Sequence, residues 1–156
     1  MKLQQDLREF VALLNFHGVE FLVVGGHAVA FHGHPRFTGD IDFLIRPSAQ
    51  NATQVLHALR AFGFGELSLS VEDFVKPGNI VQLGRPPNRI DLLTSISGVE
   101  FEDAWSSRVQ AELDGLPVCF LGWQSLIENK QASGRPKDLA DVAKLKAVAA
   151  ARRTPG

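Results

Sequence analysis

The sequence predicts an α/β (α+β) fold, in which helices pack around a small mixed β-sheet. Stretches with helical periodicity alternate with short β-rich runs, and two tight connections each join a pair of such runs. These connections are residues 84–88 and the turn at Asp114-Gly115. Because tight hairpins join antiparallel strands, we expect a mixed sheet rather than a purely parallel one. The length of 156 residues suits a single domain over residues 1–156.

The N-terminal half contains two longer helical patterns, each followed by a glycine. Apolar residues recur at helical spacing before Gly18 and again before Gly63, and glycine is a common helix stop. Ser48 or Asn51 could cap the second of these helices. Residues 70–73 resemble a capping box for one helical turn. The predicted elements are a helix over 2–17, a strand over 19–24, a short helix over 27–32, a strand over 40–46 and a helix that ends before Gly63.

The C-terminal half is predicted to contain two hairpins and three helices. Each hairpin consists of two β-rich runs around one of the tight connections. Gly134-Arg135-Pro136 interrupts a helical pattern and should separate the last two helices, which together occupy about 123–151. The predicted strands are 79–83, 89–95, 109–113 and 116–120, and the predicted helices are 101–107, 123–132 and 136–151.

The composition is that of an ordinary globular protein and argues against some partners. Its 16 basic and 17 acidic residues give a net charge of -1, so binding to nucleic acid by charge alone is not implied. The composition still allows a local patch of basic residues that the fold brings together. The single cysteine, Cys119, excludes an internal disulfide framework. No apolar run reaches the roughly 20 residues that cross a bilayer, and the first residues lack a signal-peptide core. We therefore expect a cytoplasmic protein without a membrane partner.

Two aspartates in the segment Asp40-Ile41-Asp42 are the most informative residues. Side chains alternate across a strand, so Asp40 and Asp42 should share one face with their α-carbons about 7 Å apart. Carboxylates this close repel unless a cation lies between them, and Mg²⁺ prefers such oxygen ligands. The alternative is that Asp40 caps the strand and Asp42 is merely solvated.

Gly25-Gly26 and Asp91 complete the candidate site. The glycine pair lies between a strand and a short helix, where a phosphate could approach backbone N–H groups; the alternative is an ordinary tight turn. Asp91 is a third aspartate within an apolar strand, and the alternative is that it simply pairs with Arg89 or Arg85. Three carboxylates could hold two magnesium ions, orient a triphosphate and lower the pKa of an attacking hydroxyl.

Together these residues resemble the nucleotidyltransferase superfamily with the polymerase-beta-type fold. The family pattern is a glycine pair that opens a helix, an Asp-x-Asp strand and one Asp on a later strand, matched here by Gly25-Gly26, Asp40-Ile41-Asp42 and Asp91. The segments 25–28 and 36–42 look most like the small bacterial AbiEii and MenT-type branch, which includes toxins of toxin–antitoxin pairs. That branch also carries a C-terminal Lys and an Arg-x-Lys-Asp segment, matched by Lys130 and residues 135–138.

The resemblance implies a magnesium-dependent nucleotidyltransferase, with Asp40, Asp42 and Asp91 as catalytic metal ligands. It would move a nucleoside monophosphate from a nucleoside triphosphate to an acceptor hydroxyl and release pyrophosphate. The acceptor could be RNA such as tRNA, a protein or a small molecule, and a toxin would have an antitoxin partner. Many superfamily members have Ser after the turn glycine, whereas Gly26 is followed here by His27. The alternative function is a nucleotide-binding partner protein without catalysis.

Basic residues near the motifs are the candidate phosphate partners. Arg36 precedes Asp40 by four residues, and Lys130 precedes the break at Gly134. With the glycine pair, the predicted nucleotide-binding residues are Gly25, Gly26, Arg36, Lys130 and Lys137. Asp138 either belongs to the site or only stabilises the start of the last helix through the helix dipole. His27 is more plausible as a packed, hydrogen-bonded side chain than as a phosphate ligand.

Overall fold

A computed structural model describes residues 4–33, 39–64, 68–85 and 88–153. The N-terminal half contains three helices, two strands and one 3-10 turn, and the C-terminal half contains four strands and three helices. In chain order the elements are α1 Gln5–Phe16, β1 Phe21–Val24, α2 Gly25–Phe31, β2 Ile41–Ile45, α3 Ala49–Phe62, the 3-10 turn Val71–Phe74, β3 Ile80–Leu83, β4 Ile90–Leu93, α4 Phe101–Ser106, β5 Val109–Leu113, β6 Leu116–Phe120, α5 Trp123–Ser133 and α6 Pro136–Arg153.

The six strands form one mixed sheet in the order β3-β4-β2-β1-β6-β5. The three pairs β1–β2, β3–β4 and β5–β6 are antiparallel, whereas β2–β4 and β1–β6 are parallel. The prediction of a mixed sheet is therefore confirmed. The parallel pairs join segments that are distant in sequence, and the β2–β4 pair brings the two aspartate-bearing strands side by side.

One face of the sheet is covered by α1 and α3 through a cluster of phenylalanine rings. Phe10 of α1 lies 6.3 Å from Phe43 of β2 and 5.3 Å from Phe62 of α3, measured between ring centroids. Phe10 and Phe43 are completely buried. Side chains alternate along β2, so Asp42 faces the opposite side of the sheet from Phe43. The aromatic core thus leaves the aspartate face free for the helices that line a cavity.

Most predicted boundaries lie within two residues of the observed ones. Ser48 is the cap of α3, since its side chain accepts a hydrogen bond from the Asn51 N–H, and the capping box at Ser70 is present. Asn51 has another role: its side chain bonds the backbone of Glu20 and Arg46 and ties α3 to the sheet. Strand β4 ends at Leu93, two residues earlier than expected.

Two differences concern the candidate site. The short helix α2 begins at Gly25 rather than at residue 27, because Gly25 has a φ of 66° and turns the chain directly out of β1. Strand β2 begins at Ile41, so Asp40 lies just before the strand and not within it. No helix in the described parts of the chain combines the length and apolarity that a membrane span requires.

Candidate functional site

Asp42 and Asp91 lie side by side on neighbouring parallel strands. They are direct register partners in the β2–β4 pair, so their side chains project from the same face of the sheet. Asp91 is buried with 8% of its surface exposed, and Asp42 is half-buried. The antiparallel partner of Asp42 on its other side is Val24, the last residue before the glycine pair. The fold therefore brings three separate sequence motifs to one point.

The proximity of Asp91 changes the acidity of Asp42. Burial is the largest cause of a raised Asp42 pKa, and the charge and hydrogen bonding of Asp91 raise it further, to about 6. Arg89 acts in the opposite direction, and Asp40 adds a smaller repulsion. Two carboxylates this close are stable near neutral pH only with a proton or a cation between them. The pair is thus chemically suited to bind a hard cation such as Mg²⁺.

Asp40 reaches the same cluster from the turn before β2. Its Oδ1 accepts a hydrogen bond from the backbone N–H of Arg89 at 3.0 Å. The Arg89 guanidinium donates from Nε to Asp91 Oδ1 at 2.8 Å and lies 3.6 Å from Asp40 Oδ2. The contact named as the alternative for Asp91, a pairing with Arg89, is therefore present, and the same guanidinium also reaches Asp40. The structure brings Asp40, Asp42 and Asp91 together around one guanidinium.

Gly25 leaves the space that the Asp42 carboxylate occupies. A Cβ atom on Gly25 would lie 2.3 Å from Asp42 Oδ2, which is shorter than any tolerable contact. The positive φ at this position also disfavours other residues. Gly26 is the next residue of α2. His27 is buried, which lowers its pKa, while a hydrogen bond with the Asp40 backbone acts to raise it. His27 is therefore a packed histidine, as expected.

A cavity of about 450 Å³ begins at Gly25 and Asp42 and extends along the same sheet face. Its volume lies within the roughly 300–1,000 Å³ that small-molecule sites occupy. One wall comes from the end of β4 and the residues that follow it, and the opposite wall comes from α5 and the start of α6. The lining residues are Val24, Gly25, Asp42, Gly78, Ile80, Leu93, Ser95, Ile96, Ser97, Asn129, Lys130, Ser133, Arg135 and Asp138.

The α5–α6 wall of the cavity contains a second cluster of charges. Lys130 is buried, and its Nζ lies 3.2 Å from Asp138 Oδ1 and 3.0 Å from Asp141 Oδ2. Arg135 Nε donates to Asp138 Oδ2 at 2.7 Å. Burial alone would raise the pKa of Asp138, but hydrogen bonds from Arg135, Ser133 and Lys130 outweigh it and lower the pKa to about 2. Asp138 therefore both anchors the first turn of α6 and lines the cavity.

The other predicted phosphate partners differ in position. Arg36 lies outside the described residues. Lys137 is exposed and is not among the residues that line the cavity, whereas its neighbour Arg135 is. Lys130 lines the cavity, but its ammonium group already contacts two carboxylates. Sequence reasoning did not find the apolar wall at Ile80 and Leu93, although Leu93 follows Asp91 by two residues and so shares its face.

Within the described ranges, the His, Cys, Asp and Glu side chains form no compact group of three or more that could hold a metal. The Arg89 guanidinium contacts both Asp91 and Asp40. Asp42 and Asp91, in contrast, are already paired. The two carboxylates of the Asp42–Asp91 pair are oxygen donors of the kind that Mg²⁺ prefers, and Asp40 lies on the other side of Arg89.

Two solved structures have the same fold. TM1012 of Thermotoga maritima, a proposed nucleotidyltransferase, is 18% identical over 91% of this chain and 87% of its own, with a TM-score of 0.55. An antigenic nucleotidyltransferase-like protein of Paracoccidioides brasiliensis is 17% identical over 92% of this chain and 75% of its own, with a TM-score of 0.53. At these identities the likeness concerns the fold alone.

The curated proteins contain no match to this chain. The closer likeness to the AbiEii and MenT-type branch stays a prediction, because neither the family description nor the two structures name that branch. A family model described as a nucleotidyltransferase of unknown function (DUF6036) matches residues 1–150, and the chain therefore belongs to that family.

Proposed function

We propose that this protein is a magnesium-dependent nucleotidyltransferase that moves a nucleoside monophosphate from a nucleoside triphosphate to an acceptor hydroxyl. The observation that carries the proposal is the direct pairing of Asp42 with Asp91, which raises the Asp42 pKa to about 6 through burial and mutual repulsion. A purely structural sheet would gain stability by placing apolar residues at both positions. Family membership supports the same reaction class.

The cavity beside Asp42 supports the binding of a nucleotide. The phosphates would lie in the cavity next to Asp42, whose carboxylate packs against Gly25 because that residue has no Cβ. The apolar side chains of Ile80 and Leu93 would contact the nucleoside farther along the cavity. Bound Mg²⁺ would supply charge neutralisation and polarise the α-phosphate. Asp42 and Asp91 would hold the metal, and Asp40 would complete the site.

The chemical step would be an in-line displacement at the α-phosphorus. A bond forms between the acceptor oxygen and phosphorus, and the bond from phosphorus to the bridging oxygen of the β-phosphate breaks. The hydroxyl proton would pass to the Asp91 carboxylate, which lies at the cluster, and pyrophosphate leaves. Preorganised charges around the α-phosphate would stabilise the transition state.

The acceptor is proposed only as a hydroxyl of RNA such as tRNA, of a protein or of a small molecule. The net charge of -1 favours none of these over the others. A role as a cytoplasmic toxin with an antitoxin partner rests on the sequence resemblance to the AbiEii and MenT-type branch. Arg36 and Lys137 remain proposed phosphate partners on the same ground, and Lys130 and Gly26 are proposed from their position beside the cavity or its glycine turn.

A non-catalytic nucleotide-binding partner protein is the second candidate function. The observation in its favour is the Arg89 guanidinium, which neutralises Asp91 and reaches Asp40 as it would in a site that needs no metal. Such a protein would bind triphosphate but would form no pyrophosphate under any condition. The two candidate functions therefore differ in turnover and not in affinity.

Transfer of an α-phosphate label would decide between them. Purified protein, Mg²⁺ and each of the four α-³²P-labelled ribonucleoside triphosphates would be incubated with a cell extract as a mixed source of acceptors. We expect one nucleotide to label a macromolecule or small molecule with release of pyrophosphate, and we expect Asp42→Asn to abolish labelling. Asp103→Asn, an exposed aspartate in the first turn of α4, is the matched control and should retain the wild-type rate. Labelling that survives Asp42→Asn would refute the proposed site.

A further inference from the structure

Arg89 is the cation at the centre of the aspartate cluster. Its guanidinium binds Asp91 with both Nε and Nη2, at 2.8 and 3.2 Å, and Nη2 lies 3.6 Å from Asp40. The side chain retains 29% of its exposure, so it can leave the cluster without crossing the core. Three carboxyl groups accompany this one guanidinium, so acidic side chains outnumber basic ones in the cluster. The cluster therefore still attracts a divalent cation.

The guanidinium and a divalent cation would compete for the same oxygen atoms. A metal held by Asp91 and Asp40 would lie within a few ångströms of Arg89, where like charges repel strongly. The two cationic side chains that line the described cavity, Lys130 and Arg135, already pair with Asp138, whereas Arg89 lies outside that lining and contacts Asp91 and Asp40. Of these cations, Arg89 is the one whose partners are the proposed metal ligands.

A displaced Arg89 would have a matching new partner in the triphosphate. The guanidinium fork binds phosphate in the same two-pronged manner as it binds carboxylate. The triphosphate would arrive next to Asp42, which is the register partner of Asp91 and lies at the cavity. A guanidinium released from Asp91 and Asp40 would then have phosphate oxygens as its new acceptors.

We infer that Arg89 is a positioning residue that exchanges partners, clamping Asp91 and Asp40 in the metal-free protein and binding the triphosphate once the metal takes those carboxylates. This inference rests on the proposed function. The exchange makes metal binding alone weak and makes metal and triphosphate bind cooperatively, because the triphosphate accepts the cation that the metal displaces. The cluster would thus remain closed until both ligands are present.

The variant Arg89→Gln tests separately whether Arg89 opposes metal binding and whether it binds the triphosphate. Mn²⁺ binding without nucleotide, followed by electron paramagnetic resonance, should strengthen by about threefold to tenfold because no guanidinium opposes the metal. Affinity for a non-hydrolysable triphosphate at saturating Mg²⁺, measured by calorimetry, should fall on the order of tenfold. The fold should survive, because Asp40 is held by the backbone N–H of residue 89 and not only by the side chain.

Arg85→Gln is the matched control, since it removes the same charge from an exposed position in the same hairpin. Both affinities should stay at the wild-type values in this variant. Arg89→Lys keeps the charge without the fork, and its triphosphate affinity should lie between those of the wild type and Arg89→Gln. It also provides the test if the Gln variant fails to fold.

The outcomes separate this inference from the proposed function. If the wild type and Arg89→Gln bind Mn²⁺ equally, or if Arg89→Gln binds it more weakly, the partner exchange is refuted while the metal site stands. Unchanged triphosphate affinity in Arg89→Gln likewise refutes the exchange alone. If neither protein binds Mn²⁺, both the inference and the proposed metal site are refuted. If Arg89→Gln binds Mn²⁺ and the wild type does not, the inference is supported, and the guanidinium competes with the metal more strongly than expected.

Discussion

Two charged clusters lie near the cavity, one at its α5–α6 wall and one at its sheet wall around Asp42, and they differ in the balance of acidic and basic groups. On the α5–α6 wall, Lys130 and Arg135 pair with Asp138 and Asp141, and the hydrogen bonds lower the Asp138 pKa to about 2. On the sheet wall, three aspartates have one guanidinium among them, and burial with repulsion raises the Asp42 pKa to about 6. The first cluster stabilises its own ionised state, whereas the second needs a further cation.

This difference in charge balance implies that the aspartates of the two clusters have different roles. A buried pair with satisfied partners fixes the position of two helices, and the loss of one partner leaves an uncompensated charge. An unbalanced cluster costs folding free energy unless a ligand occupies it, and such clusters are typical of functional sites. We therefore expect substitutions in the Lys130 cluster to change stability and substitutions in the aspartate cluster to change ligand binding and turnover.

The largest expected effect on stability belongs to Lys130→Met. Asp138 and Asp141 would then lie buried with less compensation, and the free energy of unfolding should fall by about 3 kcal/mol. Urea unfolding followed by circular dichroism would measure it. Lys137→Met is the matched control in the neighbouring helix α6, because Lys137 is exposed, and it should change stability by less than about 0.5 kcal/mol. An equal loss of unfolding free energy in the two variants would contradict the structural role of the Lys130 cluster.

The largest expected effect on turnover belongs to Asp91→Asn. The amide keeps the size and one acceptor oxygen but loses the charge, so it binds the metal and accepts a proton poorly. Turnover should fall by on the order of a hundredfold or more. Triphosphate affinity should stay within about tenfold, or 1.4 kcal/mol, because Asp42 and Asp40 would still hold the metal that accompanies the triphosphate, whereas Asp91 would act mainly on a second metal and the attacking hydroxyl. Single-turnover transfer at saturating nucleotide measures the first quantity. Transfer at the wild-type rate would reduce Asp91 to a structural partner of Arg89.

The two clusters should respond to acid in opposite directions. The folded Asp42 pKa is raised from 3.8 to about 6, so the native state holds more protons than the unfolded chain between these values. Stability in the absence of metal should therefore rise as pH falls from about 6 towards 4. The Asp138 pKa is lowered to about 2, so the stability that it contributes should be lost as pH falls from about 4 to 2.

Asp42→Asn tests the acidic part of that profile. The wild type should gain about 1–2 kcal/mol relative to this variant between pH 7 and pH 4.5, after allowance for the partial exposure of Asp42. Metal-free urea unfolding at both pH values measures the gain. A parallel pH dependence in the two proteins would show that Asp42 is not destabilised by its neighbours.

The smallest expected effect is a loss of triphosphate affinity after a substitution in the apolar wall of the cavity. Ile80 is 56% exposed on β3 and lines the cavity, so it is proposed to contact the nucleoside. Ile80→Ser should weaken triphosphate binding by about threefold to tenfold without a comparable loss of stability. Calorimetry at saturating Mg²⁺ would measure the change. Unchanged affinity would show that the nucleoside does not contact Ile80.

Local patterns in the sequence predicted most of the elements, because hairpin turns, glycine stops and the Ser48 cap act over a few residues. The boundary at α2 was predicted two residues late, since the positive φ of Gly25 depends on the packing of Asp42 beside it. The family resemblance predicted how these elements are arranged. The mixed sheet and the two similar solved structures confirm that fold.

The arrangement of the site was less accessible to sequence reasoning. Asp42 and Asp91 are 49 positions apart, and only the parallel register of β2 and β4 makes them partners. The spacing of Arg89 and Asp91 by two residues suggested a contact, but the reach of Arg89 to Asp40 depends on the turn before β2. The pairing of Lys130 with both Asp138 and Asp141 likewise depends on how α5 packs against α6.

Calorimetric titration of Mg²⁺ with a non-hydrolysable triphosphate into the wild type and Asp42→Ala tests the central claim most directly. We expect magnesium-dependent binding to the wild type and none to Asp42→Ala, with the fold retained because Asp42 is half-buried beside a cavity and not part of the aromatic core. Equal magnesium-dependent binding to the two proteins would contradict the claim that the Asp42–Asp91 pair is the metal and nucleotide site.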